Sequence, residues 1–197
     1  MDATLNQTLP PHSSRISFVL VRPSHPGNIG AAARAIKTMG FTDLRVVAPV
    51  DPEYRTNPDA VAFSTSSVDV LKHSRDYPSL EAALTDVALP FAMTGYSRRF
   101  GPALETMRQS ADRAGLWAEE NKGPGIAFVF GCERSGLTNE EVGLCRFATA
   151  IPANPLSQSL NLAQAVQIAA YEMHMALLQR AHASGPVSYT HLTLPTT

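Results

Sequence analysis

Asn28, Arg34, Glu133 and Asn161 are the polar residues whose surroundings could do chemistry. Asn28 opens an Asn-Ile-Gly triplet shortly after the apolar run Ile16–Val21, and Arg34 follows six residues later. Gly27 and Gly30 give a GxxG spacing, which matches neither the dinucleotide fingerprint nor the phosphate loop. On a helix from about Ile29 to Met39, Ile29, Ala33, Ile36 and Gly40 share one face, and Arg34 lies away from it. Two readings of Arg34 stay open. It is a solvated surface cation, or a guanidinium in a helix N-terminal turn beside the C-terminal end of a strand, where open α/β sheets bind ligands. Ala31, Ala35 and Thr38 form a stripe of small residues along which another backbone could approach.

Glu133 sits in Phe130-Gly131-Cys132-Glu133-Arg134-Ser135-Gly136-Leu137-Thr138, directly after a buried apolar run. A glycine at a strand end lets a ligand lie against the backbone. The ordinary alternative for Glu133 is pairing with Arg134 or another cation. Asn161 follows a proline-rich loop, Ile151-Pro152-Ala153-Asn154-Pro155, that runs into a helix, and Ser159 or Asn161 could cap that helix or touch a ligand. His12, His25, His73, His174 and His182 form no metal-ligand pattern, so no metal is expected. Cys132 and Cys145 form neither a CxxC pair nor a disulfide framework and read as buried thiols in a reducing cytoplasm.

The elements that must position these residues alternate between strands and helices. Strands are expected at Ile16–Val21, Leu44–Ala48, Val87–Thr94 (interrupted by Pro90), Ile126–Phe130 and Ala148–Ile151. Helices are expected at Ile29–Met39, Leu80–Thr85, Leu104–Glu120, Asn139–Cys145 and Leu160–Leu178, with short helical pieces at Ala60–Phe63 and Val68–Leu71. Thr138 with Glu141 forms a capping-box pattern at one start. The alternation implies an α/β fold with a mostly parallel sheet flanked by helices on both faces.

A chain of 197 residues suits one domain. Its 16 Lys+Arg against 17 Asp+Glu give a net charge of −1, which excludes a polybasic tail protein. No apolar run is long enough to cross a bilayer, and residues 1–14 read as a disordered leader rather than a secretory signal. Residues 187–197, VSYTHLTLPTT, resemble the translation of a sequencing-library adapter and are set aside; 15–180 is taken as the domain and 181–186 as a linker, which a longer natural end would continue.

Together the three segments resemble the motifs of the SpoU/TrmH-like branch of the SPOUT RNA methyltransferases. The residues that carry the likeness are Asn28-Ile29-Gly30 with Arg34, then Gly131, Glu133, Gly136 and Leu137, then Ile151-Pro152 with Ser159-Leu160-Asn161. Gly30–Phe41 and Ala153–Glu172 look most like tRNA 2′-O-methyltransferases acting on nucleotide 32 of the anticodon loop. The resemblance implies a SPOUT fold with a C-terminal trefoil knot that binds S-adenosylmethionine (SAM). The cofactor contacts would fall at Thr94, Gly95, Tyr96, Gly131, Ile151, Ser159 and Leu160. It also implies methyl transfer to a ribose 2′-hydroxyl, with Arg34 beside that hydroxyl and Asn28, Glu133 and Asn161 ordering Arg34 and the ribose. Relatives often carry a small hydroxyl residue where this chain has Gln158.

Two apolar faces on Leu160–Leu178, one of Leu162, Val166, Ala169, Met173 and Leu177 and one of Ile168, Tyr171, Met175 and Leu178, fit a homodimer once the resemblance is granted. Near-neutral charge requires RNA-facing cations to be local, and the candidates are Arg22, Arg34 and Lys37 near the first motif, with Arg98 and Arg99 after Thr94-Gly95. The implied partner is tRNA and the implied location cytoplasmic. The alternatives are action on rRNA or another tRNA position, a non-catalytic RNA-binding module of the same fold, and a nucleotide-binding enzyme of ordinary topology.

Overall fold

Every ladder in the sheet is parallel. The computed structural model describes residues 9–95, 101–121 and 123–183. Its strands are β1 (Ile16–Val21), β2 (Asp43–Val47), β3 (Arg75–Tyr77), β4 (Val87–Met93), β5 (Leu104–Thr106), β6 (Gly125–Phe130) and β7 (Phe147–Ala150). They form one seven-stranded sheet in the order β3-β2-β1-β6-β4-β7-β5. The helices are α1 (Pro26–Thr38), α2 (Pro58–Ser64), α3 (Val68–Lys72), α4 (Leu80–Ala83), α5 (Met107–Glu120), α6 (Asn139–Gly143) and α7 (Leu162–Ala183).

Central strands buried on both faces need apolar residues at consecutive positions, and β1 is buried at all six. Side chains that alternate along the strands feed two cores. Phe18, Leu20, Phe91, Phe128 and Phe130 pack under α1, α5 and α7, while Val19, Val21, Ala92, Ala127 and Val129 pack with Leu80, Ala83, Val142 and Cys145. In the larger core Phe41, Phe18, Phe128, Phe91 and Phe147 form a continuous aromatic row with centroid spacings of 5.2–5.9 Å. The expected α/β sandwich around a parallel sheet is what the chain forms.

Several boundaries differ from the sequence reading. α1 begins at Pro26, three residues before the expected start, because proline at the first helical position has no N–H to lose. Pro90 does not break β4: its carbonyl accepts from Arg146 N–H, and the donor it lacks would face residues ahead of β7, where no ladder has begun. Leu104–Glu120 is not one helix. Leu104–Thr106 pairs with β7, and Thr106 with Gln109 forms a capping box that starts α5. β3 was not expected, since an Arg-Asp-Tyr edge strand has no apolar signature. It is held by pairing with β2 and by Arg75 to Asp43 at 2.8 Å. α7 runs to Ala183, through the first residues of the expected linker. Within the expected leader, Pro10 is buried beside Gly40.

Candidate active site

The C-terminal ends of β1, β6, β4 and β7 lie side by side, and the segments leaving them build the site. Arg22 leaves β1 in the left-handed region, with φ 50°, and turns the chain toward α1. Its guanidinium is engaged by both carboxylate oxygens of Glu141, so its charge is compensated. Glu141 is also the expected capping-box partner of Thr138.

Glu133 joins the first two motifs. Its Oε2 accepts from the Ser24 backbone N–H at 2.9 Å and the Ser24 hydroxyl at 2.8 Å. Its Oε1 accepts from Asn28 Nδ2 at 3.0 Å and His25 N–H at 3.2 Å. Burial alone would push this carboxyl up, but the bonds from Asn28 and Ser24 outweigh it and hold the group down to about 2. Glu133 therefore stands as a fixed anion at the start of α1, with both oxygens occupied, and it does not pair with Arg134.

Asn161 joins the third motif. Its Oδ1 accepts from the Ala163 and Gln164 N–H groups, capping α7, while its Nδ2 donates to Asn28 Oδ1 at 3.0 Å. The expected capping is made by Asn161, and the same side chain also bonds Asn28. Asn28, Glu133 and Asn161 thus form one chain of hydrogen bonds. Arg34 is not part of it. It is the ninth residue of α1, well past the first turn, exposed, and makes no hydrogen bond or ion pair among the described residues.

Two clefts meet at this network. The first, about 370 Å³, is lined by Thr94, Gly95, Gly131, Ile151, Ser159 and Leu160, together with Leu137, Thr149 and Cys132. The second, about 680 Å³, is lined by His25, Asn28, Ala31, Asp59 and Phe63. Glu133, Ser159, Leu160 and Leu162 line both. Six of the seven positions expected to contact a cofactor thus face one cavity; Tyr96, like Arg98 and Arg99, lies outside the described residues.

The motif glycines have reasons the sequence did not disclose. A Cβ on Gly131 would lie 2.0 Å from the Gly136 carbonyl carbon, so what presses on Gly131 is the loop's own return. That return is fixed by the Gly136 N–H to Cys132 oxygen bond at 2.9 Å. A Cβ on Gly30 would lie 2.0 Å from the Ala60 carbonyl oxygen, so α2 makes a close backbone approach to α1 at Gly30. Cys145 is buried and pushed up to about 12 by desolvation. Cys132, expected to be buried too, is only half-buried in the cleft wall, 3.0 Å from Ser135 Oγ. Ser24 and His25 were missed, although the Ser-His-Pro-Gly turn before α1 marks a loop feeding a helix start.

The SpoU rRNA Methylase family profile matches residues 15–171. The chain belongs to this family. It is 41% identical over 172 residues to tRNA (cytidine/uridine-2′-O-)-methyltransferase TrmJ of Yersinia enterocolitica, covering 87% of this chain and 65% of that one. This SpoU-family chain thus spans slightly less than two thirds of that relative's length. The crystal structure of TrmJ from Z. mobilis ZM4 superposes with a TM-score of 0.73 at 39% identity, covering 80% of this chain and 67% of that one. The SpoU methyltransferase AviRb from Streptomyces viridochromogenes, solved in complex with AdoMet, shares the fold with a TM-score of 0.65 at 21% identity, covering 92% and 67%. Among the described residues no helix is long and apolar enough to cross a membrane, and no group of three or more His, Cys, Asp or Glu is placed to hold a metal ion.

Proposed function

We propose that this chain is a SAM-dependent RNA methyltransferase that methylates a ribose 2′-hydroxyl of tRNA, at nucleotide 32 of the anticodon loop. The observation that carries the reading is the convergence of Thr94, Gly95, Gly131, Ile151, Ser159 and Leu160 on one cleft that opens into a second through Glu133. The first cleft fits an adenosine-bearing cofactor. It has the volume of a small-molecule site, and it combines apolar Leu137, Ile151 and Leu160 with backbone groups and the Thr94 and Ser159 hydroxyls. When bound there, SAM supplies an electrophilic methyl group.

The chain's own residues then have separable tasks. The Asn161–Asn28–Glu133 chain of bonds fixes the wall shared by the two clefts, so that a ribose in the second meets the first in one geometry. Glu133, ionised and fully occupied, anchors rather than accepts a proton. Arg34 follows Ala31 by one turn along α1, and Ala31 lines the second cleft. Its guanidinium stabilises negative charge developing on the 2′-oxygen.

A cytoplasmic homodimer with a C-terminal trefoil knot completes the proposal. β7 lies between β4 and β5, so a late strand enters between two that an earlier connection already joins, which supports the knot. The α7 face of Leu162, Val166, Ala169, Met173 and Leu177 is buried in the chain, whereas Tyr171 is 49% exposed and Ile168, Met175 and Leu178 are half-buried, which supports a subunit contact. Methyl transfer from labelled SAM to unmodified tRNA, mapped by the resistance of the modified linkage to alkali, tests the activity and its position. No transfer to any RNA, or no SAM binding by calorimetry, overturns the enzyme reading. A monomer by light scattering at micromolar concentration overturns the dimer.

A further inference from the structure

An RNA strand entering the second cleft brings phosphates toward walls that carry the Glu133 and Asp59 carboxylates. Neutralising phosphate is the work of Lys and Arg. Arg22 is occupied by Glu141, and Arg98 and Arg99 lie outside the described residues. Among the described residues that line either cleft there is one Lys or Arg, and it is Arg134.

Its sequence neighbour is the obvious partner, but Glu133 is filled by donors from Ser24, His25 and Asn28. The Arg134 side chain is exposed and makes no hydrogen bond or ion pair among the described residues. It is also held in place: the loop that carries it is closed by the Gly136 N–H to Cys132 oxygen bond and anchored through Glu133. An uncommitted guanidinium on an anchored loop, one peptide bond from Glu133, which lines both clefts, is set to fork onto a phosphate without first breaking an internal pair.

We propose that Arg134 binds a backbone phosphate next to the ribose being methylated, an assignment that rests on the RNA methyltransferase reading above. The contact is to phosphate and not to a base, so it raises affinity for RNA of any sequence and holds the strand in register over the cleft junction.

The test compares wild type, Arg134→Ala, Arg134→Lys and Arg146→Ala. Arg146 is also exposed and unpaired among the described residues but precedes β7, at the far end of the strands. Each protein is titrated with unmodified tRNA at several salt concentrations and with SAM by calorimetry. Arg134→Ala is expected to weaken tRNA binding about 5–10-fold at 0.1 M salt and to lower the slope of log K against log salt by about 0.7–0.9. Arg134→Lys should restore most of the affinity, and Arg146→Ala should match wild type; SAM affinity stays unchanged throughout. Wild-type tRNA affinity and slope in Arg134→Ala overturn the proposal. So does a loss of SAM affinity with tRNA binding intact, which would give the arginine to the cofactor's carboxylate. If wild type itself binds neither tRNA nor SAM, the underlying function fails, and Arg134 with it.

Discussion

Asn28 donates its side-chain amide to Glu133 Oε1 at 3.0 Å across 105 residues of chain. α1 has no acidic residue in its first turn and no side-chain cap at His25, so Glu133 supplies from a distant loop the negative charge its N-terminus favours. One contact therefore both stabilises a helix and ties the first motif to the second.

That tie is pH-dependent. The Glu133 carboxyl, near 2 in the fold, lies below its ordinary value of 4.5. Its stabilising contribution is therefore complete above about pH 5 and is lost as pH falls through the interval from 4.5 to 2. Melting of wild type and Glu133→Gln between pH 7 and pH 3 checks this. A gap on the order of 2 kcal/mol at neutral pH should narrow on acidification to pH 3; a gap flat with pH would show that the charge is not what matters.

Asn28 and Asn161 should couple. Removing either side chain breaks the bond at 3.0 Å between them. The cycle of Asn28→Ala, Asn161→Ala and the double variant should give an interaction of about 0.5–1.5 kcal/mol. Additive losses in denaturant titrations would mean that the bond contributes nothing.

Gly30→Ala should destabilise by about 2–3 kcal/mol, because the new Cβ meets the Ala60 carbonyl, a backbone atom that moves only with α2. Gly115→Ala is the internal comparison. There the nearest atom is the Arg180 side chain at 2.9 Å, which can swing aside, and the cost should stay below about 1 kcal/mol. Equal losses in the two variants would contradict the backbone explanation.

Arg34→Ala should leave stability within about 0.5 kcal/mol of wild type, since the side chain is exposed and unbonded among the described residues. Single-turnover methyl transfer should fall about 100-fold or more at unchanged SAM affinity. Unchanged transfer would remove Arg34 from the reaction.

The site was more legible in the sequence than the elements between its parts. Motif positions on strand exits are local, and Thr94, Gly131, Ile151 and Ser159 reach one cavity because parallel strands deliver all their C-terminal ends to one edge. Partnerships were not legible. The pairing of Glu133 with Ser24, and of Arg22 with Glu141, depends on register across more than a hundred residues. Chain proximity pointed instead to Arg134. Gly131 read as ligand-facing, and Gly30 had no assigned reason, because their crowding comes from Gly136 and Ala60, contacts that only the folded backbone reveals. β3 and β5 escaped because each has three residues, too few for a period to register.

The strand order also sets a timetable for synthesis. β5 has one neighbour in the sheet, β7, which follows it by some forty residues. A nascent chain that has emerged as far as Glu120 carries β5 with no strand to pair with and β4 with both edges open; β6 closes one, and the other stays open until Phe147–Ala150 arrives. The last strand is the keystone: it enters between two strands already laid down, and only then does the first cleft acquire its Ile151 wall. Folding should accordingly be slow and dominated by contacts distant in sequence, with the half of the sheet that holds β4, β7 and β5 completed after the half built from β1 and β2.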